Sequence, residues 1–131
     1  MRQIFYISRS LIEPADIRAL YERSRHHNEQ AGITGMLMFT GGCFAQLIEG
    51  PAPALEALMA RIESDRRHAQ VRRLLDRPVP ERRFGAWHME LFETPGADDL
   101  VSELLRAQEP PPQQRAQRLL ELMLAELPVQ G

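Results

Sequence analysis

The chain contains no lysine: all 16 basic residues are arginine. That excludes Schiff-base chemistry and the phosphate-binding lysine of P-loop enzymes. A single cysteine, Cys43, excludes an internal disulfide framework and any multi-cysteine metal site, and no metal is expected. No apolar run approaches the length of about 18 residues that a membrane helix needs, and Met1 to Arg9 lacks the pattern of a signal peptide. A soluble, cytoplasmic protein without membrane contact is expected. Net charge is only −2, from 16 basic against 18 acidic residues, which argues against direct nucleic-acid binding. What is present is ordinary. The 131 residues are 44% hydrophobic and 26% charged, enough for one compact domain with its own core.

Arg2-Gln3-Ile4-Phe5-Tyr6-Ile7-Ser8 is rich in β-branched and aromatic residues and predicts a strand. Alternation puts Ile4, Tyr6 and Ser8 on one face and Phe5 and Ile7 on the other. Pro14, with Asp16 in the first turn, marks a helix start. Ile17, Leu20, Tyr21 and Ser24 follow at helical spacing, His27 and Asn28 continue that face, and Gly32 stops the helix. Ile33 to Thr40 and Cys43 to Ile48 predict a hairpin about the tight turn Gly41-Gly42. Phe44, Gln46 and Ile48 share a face, an unusual place for a glutamine. After Gly50-Pro51 a second helix carries Leu55, Leu58, Met59 and Ile62 and closes near Asp65-Arg66-Arg67-His68. Val71 to Leu75 and Phe84 to Phe92 predict two further strands. The order β-α-β-β-α-β-β predicts an α+β, ferredoxin-like sandwich, with a mixed sheet and both helices on one face.

Composition changes after Glu93. Thr94-Pro95-Gly96 is a break, and two helices are predicted, from about Asp98 to Ala107 and from Gln113 to Leu127, around Pro110-Pro111-Pro112. Residues 1–95 carry a charge of +1 and residues 96–131 one of −3. A domain over 1–95 and a two-helix C-terminal extension over 96–131 are therefore expected. Leu119, Leu120, Leu122, Met123, Leu124 and Leu127 form an apolar surface too broad for an isolated helix. It must dock on its own sheet or on a partner.

The pattern also turns polar groups toward the interior between sheet and helices: Tyr6, Gln46, His27 and Asn28, with Met89 from the last strand. Arg61 and Asp65, four residues apart, flank Ile62. An unpaired buried polar group costs about 1–3 kcal/mol, so a buried tyrosine and glutamine demand partners. Apolar side chains with amides and a guanidinium suit a planar heterocycle, faces held by the former and edge by the latter. Taken singly each residue also has an ordinary role: Tyr6 and Met89 as core, Asn28 at a helix end, Arg61 and Asp65 as a surface pair.

Taken together, the local strings resemble the BLUF family, blue-light sensors that use flavin. They are Phe5-Tyr6-Ile7-Ser8, Asn28-Glu29-Gln30-Ala31-Gly32-Ile33-Thr34-Gly35-Met36-Leu37, and Phe44-Ala45-Gln46-Leu47-Ile48-Glu49-Gly50-Pro51. Arg61-Ile62 with Asp65 and Arg67-His68, then Arg83-Phe84 with Trp87-His88-Met89, complete the set in the family's order and spacing. The resemblance implies a non-enzymatic photoreceptor with a non-covalently bound flavin, FAD by family usage, with FMN and riboflavin left open. It implies that Tyr6 is the photoactive tyrosine, giving up an electron with its proton, and that Gln46 is the switching glutamine. Asn28, His27, Arg61 and Asp65 would be polar contacts to the ring, Ile33, Phe44 and Ile62 its apolar lining, and His68 a contact to the outer cofactor. Trp87 and Met89 resemble the pair that exchange places near Gln46. The outcome would be a reversible red-shifted state, passed to an unidentified downstream protein; self-association is left open.

Three other readings compete with this one. An acylphosphatase-like enzyme shares the architecture and would use Arg9 and Asn28, but Arg9-Ser10-Leu11-Ile12-Glu13 lacks a glycine-rich phosphate cradle. A cofactor-free regulatory or interaction module on the same fold would not need Tyr6, Gln46 and Asn28 together. A cysteinyl-flavin adduct would use Cys43, which alternation puts opposite Gln46 and away from the ring. No cyclase, phosphodiesterase or helix-turn-helix segment follows residue 95, so a short stand-alone sensor is expected.

Overall fold

The computed structural model describes residues 1–83, 90–93, 97–107 and 113–125. Its elements are β1 (Arg2–Ser10), a 3-10 turn (Pro14–Asp16), α1 (Ile17–Ala31), β2 (Thr34–Thr40), β3 (Cys43–Gly50) and α2 (Ala52–Ser64). β4 (His68–Pro78), β5 (Glu90–Glu93), α3 (Asp98–Arg106) and α4 (Gln113–Leu124) follow. One five-stranded sheet has the order β4-β1-β3-β2-β5. β1 is antiparallel to both β3 and β4, β2 is antiparallel to β3, and β5 adds in parallel at the β2 edge. This is the split β-α-β arrangement of a ferredoxin-like α+β fold, with an extra edge strand.

Local chemistry explains the boundaries. α1 ends where Gly32 takes φ 73°, with its N–H bonded to the Asn28 carbonyl, a left-handed cap that a side chain disfavours. Gly41 and Gly42, at φ 53° and 82°, close the two-residue turn between Thr40 and Cys43, as a right-twisted hairpin requires. β4 runs longer than the sequence pattern indicates because it pairs with β1 along its length and absorbs two register shifts on the way. Gln70, at φ 54°, lies in the second of these, where a bulge interrupts the ladder. The Phe84-to-Phe92 strand is seen only as Glu90–Glu93, its earlier part lying outside the described residues.

Two cores sandwich the sheet. On one face Ile4, Tyr6, Leu37, Phe44 and Ile48 pack against Ile17, Leu20 and Tyr21 of α1 and Leu55, Met59 and Ile62 of α2. On the other, Phe5, Ile7, Met36, Met38, Ala45 and Leu47 pack against Val101 and Leu104 of α3 and Leu119, Leu120 and Met123 of α4. The apolar surface of the last helix therefore docks on its own sheet, and Leu122 alone of that set is exposed; Leu127 lies outside the described residues. Arg72, buried on β4, secures this layer by donating from Nη1 to the carbonyl of Leu104, at 2.6 Å, and to that of Ala107, so the C-terminal end of α3 is held by a cation. Leu119 is fully buried. Leu119→Ala should cost about 2–5 kcal/mol, read as a lowered urea midpoint at unchanged slope.

Candidate functional site

The site is assembled by register. Tyr6 of β1 lies directly opposite Gln46 of β3, and Gln46 lies opposite Leu37 of β2. All three point to the face covered by α1 and α2. The Tyr6 hydroxyl donates to Gln46 Oε1. Tyr6 is 1% exposed and Gln46 5%. Burial first, and Asp65 second, push the Tyr6 phenol well above the ordinary tyrosine range, so it stays protonated and remains a donor at any working pH.

These side chains form the closed end of a cavity of about 310 Å³ between the sheet and the two helices. Leu37, Phe44, Leu20 of α1, and Leu58 and Ile62 of α2 give it apolar walls. Asn28, 1% exposed, presents its side chain to the cavity, while its backbone carbonyl accepts the Gly32 and Ile33 amides. The helix-end duty thus falls on the main chain.

Around the rim the charged groups pair differently from the sequence expectation. α2 stops at Ser64, and Asp65 is an extended cap residue, so Arg61 and Asp65 do not form a helix-face pair. Asp65 instead receives a fork from Arg67, with Nη2 2.6 Å from Oδ2 and Nε 3.0 Å from Oδ1. That fork, ahead of the cost of burial, holds the Asp65 carboxyl at about 2. Arg61 crosses to α1, where its Nη1 lies 2.7 Å from Nε2 and 3.0 Å from Nδ1 of His27. Burial, then Arg61 and His26, hold His27 below the ordinary histidine range, so a ring nitrogen is there to accept from the guanidinium. His68 packs on Phe44, ring centroids 5.1 Å apart, with Nδ1 2.9 Å from Ser8 Oγ. Burial lowers its pKa too.

Of the residues singled out in the sequence, Tyr6, His27, Asn28, Phe44, Gln46, Arg61, Ile62, Asp65 and His68 line this one cavity. Ile33 does not; fully buried, it belongs to the core beside it. The wall position expected for it is taken by Leu37, the fourth residue of β2. Trp87 and Met89 lie outside the described residues. Arg23, Leu37 and Arg67 also line the cavity, without a role in the sequence pattern. Two had a signal there: Arg23 stands one turn from His27, and counting back from Gly41-Gly42 pairs Leu37 with Gln46.

The donor set fits a flavin. Apolar walls flank a slot that ends in a phenol, two carboxamides and a guanidinium, able to meet a planar ring that carries both acceptors and a donor along its edge. Cys43 is buried on the opposite face, among the α3–α4 core residues, which disfavours a cysteinyl adduct.

Comparison with known proteins agrees. The family model described as "BLUF: Sensors of blue-light using FAD" matches residues 1–90. A photoactivated adenylate cyclase subunit alpha of Euglena gracilis is 35% identical over 95 residues, 69% of this chain and 9% of that protein. The blue light- and temperature-regulated antirepressor BluF of Escherichia coli (strain K12) is 38% identical over 77 residues, 59% of this chain and 19% of that one. This chain thus spans only a small part of both curated relatives. The dark-state structure of BlrB, a BLUF protein, superposes with a TM-score of 0.73 at 32% identity, over 95% of this chain and 96% of that one.

Proposed function

The chain belongs to the BLUF family of flavin-using blue-light sensors, and on that premise we propose that Tyr6 and Gln46 are its photoactive pair and that the cavity against α1 and α2 takes FAD. The observation that carries this reading is the hydrogen bond from Tyr6 to Gln46 at the closed end of that cavity. Asn28, Arg61 and Asp65 would hold the ring edge, and Phe44 and Ile62 its faces. His27 would support Arg61, and His68, fixed by Ser8, would meet the outer part of the cofactor.

When bound, the flavin supplies the blue-light chromophore and an electron acceptor. Tyr6 is placed to release an electron together with its phenolic proton, because that proton already lies in a hydrogen bond to Gln46. The glutamine amide has two donors on one arm and two lone pairs on the other. Reversing that polarity, by rotation or tautomerisation, changes what Gln46 offers into the cavity. A stronger donor there gives a small red shift. The electron and proton would return to Tyr6 and no bond would form between protein and flavin, so the dark arrangement returns thermally.

The family signals blue light, and the curated relatives bear the names of a cyclase and an antirepressor. For this chain we take residues 1–95 as the sensing unit and residues 96–131 as the relay to a downstream protein. Support comes from Arg72, which joins β4, the neighbour of the Tyr6 strand, to the end of α3. Among the described residues no helix is long and apolar enough to cross a membrane.

The cofactor released by heat from purified holoprotein, separated against riboflavin, FMN and FAD standards, tests the cofactor assignment. FAD is expected. A colourless protein would instead favour the cofactor-free module.

A further inference from the structure

A skipped residue on β4 decides which layer Arg73 serves. Phe5 of β1 lies opposite Leu75 and Tyr6 opposite Arg73, so Leu74 has no partner on β1. An unbroken ladder would set Leu74 opposite Tyr6 and turn Arg73 to the other face of the sheet, since a one-residue slip reverses the side chains. As folded, Leu74 joins the α3–α4 core, Arg72 reaches α3, and Arg73 comes to the α2 side, beside Tyr6.

There Arg73 grips α2. Its Nη1 lies 3.3 Å from Glu56 Oε1 and its Nη2 3.4 Å from Glu63 Oε1. Those carboxylates stand two turns apart along one side of the helix. Nη1 also lies 3.0 Å from Asp76 of its own strand. Arg2 of β1 closes the set, 2.8 Å from Glu56 and 2.6 Å from Asp76. Among the described residues, every ion pair made by α2 runs to Arg73 or Arg2. Another stripe of the same helix carries Leu58 and Ile62, which wall the cavity. Two guanidiniums face three carboxylates, so loss of Arg73 would leave three anions against one cation along the seam between α2 and β4.

Resting on the flavin reading above, we infer that Arg73 is a positioning residue for the photoreaction: from outside the cavity it sets how closely α2 presses Leu58 and Ile62 onto the flavin ring beside Tyr6. A guanidinium suits this task, because its planar fork meets two carboxylates at once. An isolated surface pair contributes little; a network of pairs holds a helix in place.

Release of flavin from the intact holoprotein in the dark, followed by gel filtration at intervals and at rising salt, tests this. Arg73→Gln is expected to release flavin about fivefold faster at low salt, the scale of a few networked ion pairs. Salt should speed release from the wild type toward the rate of that variant, because the network is partly exposed and screened. The variant's own rate should change little. The fine structure of the dark blue band should also blur in Arg73→Gln, as a loosened wall admits water to the ring. Arg77→Gln removes an equal charge from the same strand, where Arg77 reaches Gln3 on the opposite face, and should keep the wild-type rate and band. Glu63→Gln removes one arm of the grip at an exposed position. It should speed release about twofold, and it decides the matter if Arg73→Gln does not fold. Wild-type release rates and band shapes in Arg73→Gln and Glu63→Gln would overturn the positioning role and leave the flavin reading standing. So would an equal acceleration in Arg77→Gln, which would make the effect one of net charge alone. A wild-type protein that binds no flavin would overturn the flavin reading, and the positioning role with it.

Discussion

Tyr6→Phe is expected to retain flavin and to lose the reversible red shift under blue light completely. The substitution keeps a buried aromatic ring on β1 at the closed end of the cavity, and volume-conserving changes of this kind cost little in packing. What it removes is the hydroxyl that donates to Gln46 Oε1. The electron donor then has no mobile proton, and Gln46 has no phenol to report on. Loss of a buried hydrogen bond costs about 1–3 kcal/mol, so a modest drop in stability should accompany the spectral loss. Gln46→Leu, which removes donor and acceptor at once, should also leave a yellow protein without a red shift. A normal light-minus-dark spectrum in Tyr6→Phe would sink the electron-donor role.

Asn28→Ala is expected to weaken flavin retention by about 1–3 kcal/mol, the cost of depriving a buried polar partner of its hydrogen bond. Retention after gel filtration would measure it. The helix end itself should survive, because the Gly32 and Ile33 amides bond the main-chain carbonyl of residue 28, which alanine keeps. That separation makes the test informative. Unchanged flavin occupancy and an unchanged dark spectrum would show that the Asn28 side chain has no part in the site.

Local pattern made most of the sensing half legible. The period-2 face of β1, the apolar stripes of α1 and α2, the Gly41-Gly42 turn and the Gly32 stop are short-range facts, written in consecutive residues. Alternation alone also put Tyr6, Phe44 and Gln46 on one side. The direct opposition of Tyr6 and Gln46 was not legible, because β1 reaches β3 across some forty residues and nothing local sets that register. The rim pairs failed for a related reason. A four-residue spacing implies a helical pair only inside a helix, and α2 ends one residue before Asp65. β4 outran its pattern because pairing with β1, not its own alternation, sustains it through the bulge at Gln70. The docking of α4 on the sheet was one of two outcomes that its apolar surface allowed. The choice is made by the open face of β1, β2 and β3, where Phe5, Met36 and Leu47 need cover. Arg72 gave no signal at all, since its partners are backbone carbonyls thirty residues away in sequence.

The central claim is that light changes the hydrogen bonding of a bound flavin through Tyr6 and Gln46 without changing its covalent structure. An absorption spectrum of the purified wild-type protein, taken in the dark, under blue light and again after recovery in the dark, tests it most directly. The expected result is a flavin spectrum whose blue band moves slightly to the red as a whole and returns. A band that bleaches under light, as an adduct would require, or a flavin spectrum that does not respond at all, would contradict the account.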